Sequence, residues 1–190
     1  MTDTRPTDDS NGPQRVAPAS TTENASSEDT LTHLSTRDPA VANVVESLRS
    51  SGINAHAQVL PDSTRTAAHA AKALGCEIGA IANSLLFMAD GRPLLVMTSG
   101  AHRVDLDLLA ADLGRTKIRR AEPDEVLYAT GQPVGGVSPV GHPTPIETLI
   151  DSTLGSYPTI WAAAGTPNAV FNTTFADLLT ATGGRVVRVN

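Results

Sequence analysis

Between residues 131 and 145, eight of fifteen positions are glycine or proline: Gly131, Pro133, Gly135, Gly136, Pro139, Gly141, Pro143 and Pro145. Each proline fixes φ and removes a backbone donor, and each glycine adds the conformational freedom that helices and strands must give up. No regular element survives that density, so the chain must fold around one long, shaped loop. Loops of more than about 12 residues inside a compact domain are commonly functional.

What precedes the loop reads as short elements. Asp38-Pro39 pairs a capping residue with the proline that suits a first helical turn, and Val41, Val44, Val45 and Leu48 follow at helical spacing until Gly52. Ile53 to Leu60 reads as a strand. Asp62 or Ser63 is expected to cap an alanine-rich helix that runs to Leu74 and stops at Gly75. Two apolar runs, Ser84–Ala89 and Leu94–Met97, flank Asp90-Gly91, the pair that supplies the positive φ angles of a tight hairpin. A helix from Asp105 to Leu113, a strand from Thr116 to Arg120 and a helix from Pro123 to Tyr128 lead into the loop. Beyond it, strands are expected at 146–150, 159–164 and 169–172, then a helix over 174–182 and a last strand over 185–189. Helices interleaved with hairpin-linked strands indicate a mixed α/β or α+β domain and not a βαβ repeat.

Composition confines the function. Residues 1–35 hold six acids and two bases, so they carry −4 of the chain's −6, and their large apolar residues are only Val16, Leu31 and Leu34. Such a segment cannot bury enough surface to offset its ordering entropy, which predicts a disordered acidic tail ahead of one domain over 36–190. A net negative chain does not coat DNA or RNA by bulk charge, although local contact with an RNA end stays open. No apolar run is long enough to cross a bilayer and no secretory signal opens the chain, so the cytoplasm is the expected compartment. One cysteine, Cys76, and five histidines without ligand spacing predict neither a structural metal nor a disulfide. Cys76 has no local cation to activate it and reads as a small residue of the core or its edge.

Two segments can carry chemistry. In Val134-Gly135-Gly136-Val137-Ser138-Pro139-Val140-Gly141, adjacent glycines let backbone N–H groups approach a ligand, as donors to a carbonyl or carboxylate oxygen. His142 follows and is a candidate lining residue. At the mouth of the hairpin, Asn83 and Ser84 interrupt an apolar strand; they either cap it or face a pocket. Arg115, Lys117, Arg119 and Arg120 form a basic cluster, suited to RNA phosphates or to shielding an exposed strand edge.

Six stretches in order, IANSLLF, DGRPLLVMTSG, RVDLDLLA, VGGVSPVGH, LIDSTL and WAAAGTPNAVF, resemble the YbaK/prolyl-tRNA synthetase-associated editing family, over about residues 41–190. The resemblance implies a mixed, mostly antiparallel sheet curled around a pocket with flanking helices. It also implies an activity: hydrolysis of the ester joining a small, incorrect amino acid to the 3′ end of a tRNA. Relatives use no metal, no cofactor and no covalent nucleophile; water attacks the ester, often helped by a ribose hydroxyl. The implied catalytic positions are Gly135, Gly136 and Asn83, with Gly136 the main backbone contact. Ser84, Ser138, Pro139, Asp151, Asn168 and His142 are implied to line the substrate site. Many relatives have lysine at the position of Asn83 and histidine at or near Asn168. Partners would be an aminoacylated tRNA and an aminoacyl-tRNA synthetase. A domain that kept the pocket and lost turnover is the alternative, and a scaffold acting through its acidic tail is a third.

Overall fold

A computed structural model describes residues 1–2, 38–61 and 66–190 of the 190-residue chain. The expected tail therefore lies outside the described residues, as do Asp62 and Ser63. The helix they were expected to cap starts later. Its cap is Thr66, whose hydroxyl accepts from the His69 amide at 3.2 Å.

Among the described residues, five α-helices and eight strands follow in the order α1 Pro39–Ser50, β1 Ala57–Val59, α2 Ala67–Leu74, β2 Ile81–Ala89, β3 Arg92–Ser99, α3 Leu106–Leu113, β4 Ile118–Arg120, α4 Pro123–Thr130, β5 Glu147–Asp151, β6 Ile160–Ala163, β7 Ala169–Thr173, α5 Phe175–Thr182 and β8 Arg185–Val187. Short 3₁₀ turns, which no sequence signal announces, precede β2 at Ile78–Ala80 and follow β5 at Ser152–Ser156. The expected strand at 53–60 shrinks to Ala57–Val59, the residues in register with β7. Residues 131–145 contain neither helix nor strand. Asp90 and Gly91 take φ of 50° and 82°, the hairpin geometry their identities demand.

The strands form one sheet in the order β1-β7-β6-β2-β3-β5-β8, with β4 paired to β2 off that path. Four pairings are antiparallel and three parallel, so the sheet is mixed and mostly antiparallel. Side chains on β3 alternate between two cores, which is why its middle, Leu94 to Met97, is apolar on both faces. Leu95 and Met97 pack with Val41, Val44 and Leu48 of α1, Val126 of α4, Leu178 of α5 and Val137 and Val140 of the loop. Leu94 and Val96 face Phe87, Leu109 of α3, Leu149 and Val187. A third cluster joins Ala70 and Ala71 of α2 to Leu60 and Ile81, with Cys76 and Trp161 at its margin. Burial pushes the Cys76 thiol above its ordinary value, as expected for an unactivated thiol.

One irregularity positions everything that follows. Along one edge β2 pairs with β3 over Ala82–Ala89. Along the other edge it has two partners, β6 at Ile81 and Ala82 and β4 at Phe87–Ala89. Residues 83–86 lie between them, and on that edge the sheet forks.

Candidate functional site

The fork opens into a cavity of about 230 Å³. Asn83, Ser84 and Leu85 of β2 form its floor, Trp161, Ala162 and Ala163 of β6 one wall, and Val134, Gly135 and Val137 of the glycine-rich loop another. Thr66, Ala67 and Ala70 of α2 and Pro167 of the β6–β7 turn complete it. None of these side chains is charged, and most are apolar and small. The Asn83 side chain makes no hydrogen bond among the described residues, so its carboxamide is available to a ligand. The Ser84 hydroxyl sits 3.2 Å from the Met97 sulfur.

The two adjacent glycines are needed for different reasons. Gly135 is exposed, lines the cavity and holds φ at +89°, a backbone conformation that penalises any side chain. Gly136 is buried, and a β-carbon there would lie 2.6 Å from the Thr166 carbonyl carbon. Its absent side chain lets the loop press against the 165–168 turn. The Gly136 amide, the contact implied by resemblance, is turned inward and donates to the Pro133 carbonyl at 2.9 Å. The amides of Gly135 and Val137 donate to no acceptor among the described residues.

Behind this surface the loop is tied to itself. Gln132, only 2% exposed, accepts from the Ser138 amide at 2.7 Å and donates through Nε2 to the Ser138 hydroxyl at 3.0 Å, and that hydroxyl donates to the Val140 carbonyl. Gln132 itself is held by the Thr130 hydroxyl at 3.1 Å. Ser138 is thus fully buried and does not line the cavity. His142 donates from Nε2 to the Ser138 carbonyl at 3.0 Å, and burial pushes its imidazole below its ordinary value, which keeps it neutral. His142 and Pro139 line a separate hollow of about 280 Å³ on the loop's far side. Hydroxyls there are engaged internally: Ser47 with Asn43, Ser51 with Ser47, Thr148 with Ile146 and Thr182 with Leu178.

Asp151 is 1% exposed and lies outside the cavity. Its Oδ1 caps the Ser152–Ser156 turn by accepting from Thr153, and its Oδ2 accepts from the Ser99 amide at 3.1 Å and from His102 Nδ1 at 2.8 Å. These contacts make Asp151 a turn cap and not a lining residue of the cavity. Asn168 occupies the turn whose neighbours Pro167 and Ala169 line the cavity; its carbonyl accepts from Leu60 at 2.7 Å and its Oδ1 lies 3.4 Å from the Thr166 hydroxyl. Of the nine sequence candidates the cavity gathers Asn83, Ser84 and Gly135. It adds Val137 of the same loop, and Trp161 and Pro167, which the pairing of β6 with β2 brings there. Within the basic cluster, Arg119 holds Glu125 through two contacts of 2.6 and 2.7 Å and Arg115 holds Glu147 at 2.7 Å. The first pair draws the Glu125 carboxyl down to about 2.

A neutral cavity formed by a forked sheet edge and a stiff glycine loop defines a class of small-ligand site, and comparison with known proteins names it. The profile of the aminoacyl-tRNA editing domain matches residues 61–181, and the chain belongs to that family. It is 32% identical over 117 residues to the uncharacterized protein YwhH of Bacillus subtilis, covering 61% of this chain and 74% of YwhH. It is 33% identical over 79 residues to a proline–tRNA ligase of Thermosipho melanesiensis, of which it spans 14%. A solved structure of a candidate trans-editing enzyme for prolyl-tRNA synthetase superimposes with a TM-score of 0.77 at 40% identity, over 80% of this chain and 98% of that one. The hypothetical protein APE2540 does so at 0.72 and 30%, over 77% and 98%.

Proposed function

We propose that this protein is a trans-acting hydrolase that removes a small amino acid from a mischarged tRNA, with residues 36–190 as the editing unit and residues 1–35 as a tail without chemistry. The observation that carries this reading is the cavity at the fork of β2: about 230 Å³, uncharged, and bordered by Asn83 and Gly135. A pocket of that size and polarity suits a small neutral side chain. Sieving by a second site is needed because one methylene is worth only about 1–3 kcal/mol to a synthetic site. The likeness to a stand-alone candidate trans-editing enzyme over nearly its whole length supports action in trans. The shared segment in proline–tRNA ligases supports a tRNA charged by such a synthetase as the partner, in the cytoplasm.

In this mechanism the amides of Gly135 and Val137 hold the ester carbonyl oxygen as negative charge develops on it, and the loop's rigidity means they need no reorganisation. Asn83 hydrogen-bonds the terminal nucleotide. No titratable side chain among the described residues lines the cavity, so in this mechanism catalysis rests on positioning and on electrostatic stabilisation of the attack by water. The rate is expected to climb steadily from pH 6 to 8 without a bell. Purified protein incubated with a panel of mischarged tRNAs should release amino acid from esters of small residues. Uniform persistence of every ester would sink the proposal.

The absence of a charged group at Asn83 also favours a second reading, a module that binds the aminoacyl end without turnover. Deacylation that appears only in Asn83→Lys would select it. Loss of an existing activity in Asn83→Ala would reject it.

A further inference from the structure

A nucleotide ester carries a phosphodiester one ribose away from the reacting carbon, and among the described residues the cavity has no cation to meet it. The described lining is neutral from Thr66 to Val170. The four members of the basic cluster are not equivalent in this respect. Arg115 and Arg119 are neutralised by Glu147 and Glu125. Lys117 lies ahead of β4, whose register on β2 begins with Ile118 opposite Ala89 and ends with Arg120 opposite Phe87. Arg120 is therefore the member of β4 nearest the fork. It is exposed and forms no ion pair or side-chain hydrogen bond among the described residues.

Its position is more specific than exposure alone. Arg120 lines a recess of about 70 Å³ beside the cavity, and the two hollows share Ser84, Leu85, Val134, Gly135 and Val137 as walls. A ligand seated against Gly135 thus has an uncommitted guanidinium on the other side of the same loop segment. We infer that Arg120 is the phosphate-binding residue of this site, and that it supplies from β4 the charge that Asn83 does not supply from β2. Guanidinium–phosphate contacts are charge-assisted and bidentate, so one suffices to orient an RNA end. The inference rests on the tRNA-editing reading above.

The test uses the full chain and two readouts. The first is the salt dependence of binding to an uncharged tRNA for wild type, Arg120→Ala, Arg120→Lys and Arg185→Ala, a control whose guanidinium pairs with Asp112 on the opposite edge strand. Each phosphate contact on a single strand contributes about −0.7 to the slope of log K against log salt. Arg120→Ala should lower the slope's magnitude by about that amount, with Arg120→Lys and Arg185→Ala unchanged. The second readout is deacylation of whichever mischarged tRNA the wild type hydrolyses best. Arg120→Ala should raise KM about tenfold with kcat nearly unchanged, as loss of one charged hydrogen bond predicts. Adding Asn83→Lys should restore KM.

Three results separate the ideas. If esters are hydrolysed and Arg120→Ala matches Arg185→Ala in slope and KM, Arg120 is not the contact and the inference falls alone. If Arg65→Ala (outside the described residues, next to Thr66) moves both readouts and Arg120→Ala neither, the contact belongs to Arg65. If the slope depends on Arg120 but no ester is hydrolysed, the inference stands and the hydrolase reading fails.

Discussion

The two sides of the 131–145 loop are built to opposite rules. On the side facing the forked edge of β2, backbone amides at Gly135 and Val137 and the side chain of Asn83 have no partner among the described residues. On the side facing α1 and α5, Gln132, Ser138, Val140 and His142 are linked by hydrogen bonds through the Gln132, Ser138 and His142 side chains. The rigidity of one side makes the unused donors of the other useful. Donors on a flexible loop would lose their advantage to the entropy of ordering them. The difference predicts that substitutions behind the loop change stability, whereas substitutions in front of it change function.

The largest effect is expected from Gly136→Ala. Its new β-carbon would meet Thr166 backbone at 2.6 to 2.7 Å, and backbone cannot step aside as a flexible side chain can. A loss of about 3 kcal/mol, or roughly 10 °C in melting temperature, follows from overpacking of this kind. Gly135→Ala is the informative partner, because its β-carbon meets nothing closer than Pro167 at 3.9 Å and only the positive φ is penalised. About 1 kcal/mol is expected there. Equal losses in thermal melts would mean that the glycine pair is one feature and not two.

Next is Gln132→Ala, which strands the buried Ser138 amide and removes one donor to its hydroxyl, which keeps the Val140 carbonyl as acceptor. Such orphaned groups cost about 1–3 kcal/mol each, so denaturant melts should show a loss near 2 kcal/mol. Gln132→Glu, which keeps the acceptor for that amide, should lie between. A Gln132→Ala variant as stable as wild type would show that the rear network does not brace the loop.

On the cavity side, Asn83→Ala should leave melting unchanged within about 0.5 kcal/mol, since no protein group loses a partner. Deacylation should nevertheless fall about tenfold, the value of one directed hydrogen bond near the reacting group. A stability loss larger than the loss of activity would reverse the contrast and make Asn83 a structural residue.

The sequence and the structure agree where the physics is local. The hairpin at Asp90-Gly91, the caps at Asp38 and Asp105, and the irregular loop all follow from backbone preferences that neighbouring residues announce. Disagreement arises where distant segments decide. Nothing near Asn83 reveals that β6 and β4 divide one edge of β2, because their partners lie some 80 and 30 residues away. Gly135 and Gly136 look alike until Thr166 is brought against one of them. Gln132 carried a weak signal, a lone amide side chain set among breakers. Asp151 and His102 showed none of their 2.8 Å contact, since 49 positions separate them. Resemblance supplied the family, yet it could not show that Ser138, Pro139 and His142 stand behind the cavity and do not line it.

The smallest effect concerns pH, and it probes the rear of the loop without touching the cavity. Burial lowers the His142 pKa in the folded protein below its ordinary 6.5, so the folded chain binds fewer protons than the unfolded one once pH falls below that value. Stability is then present above pH 6.5 and is lost as pH falls through the folded value. His142→Gln keeps a donor for the Ser138 carbonyl and removes the titration, so its stability curve should be flatter than wild type just below pH 6.5. Glu125, paired with Arg119 and held near 2, adds its own loss only below about 4.5. The two windows are separate, and Arg119→Ala should alter only the lower one. Parallel curves for wild type and His142→Gln between pH 5 and 6.5 would mean that the imidazole is as well solvated in the fold as outside it. The rear of the loop would then be open to water, and the contrast between its two sides would be lost.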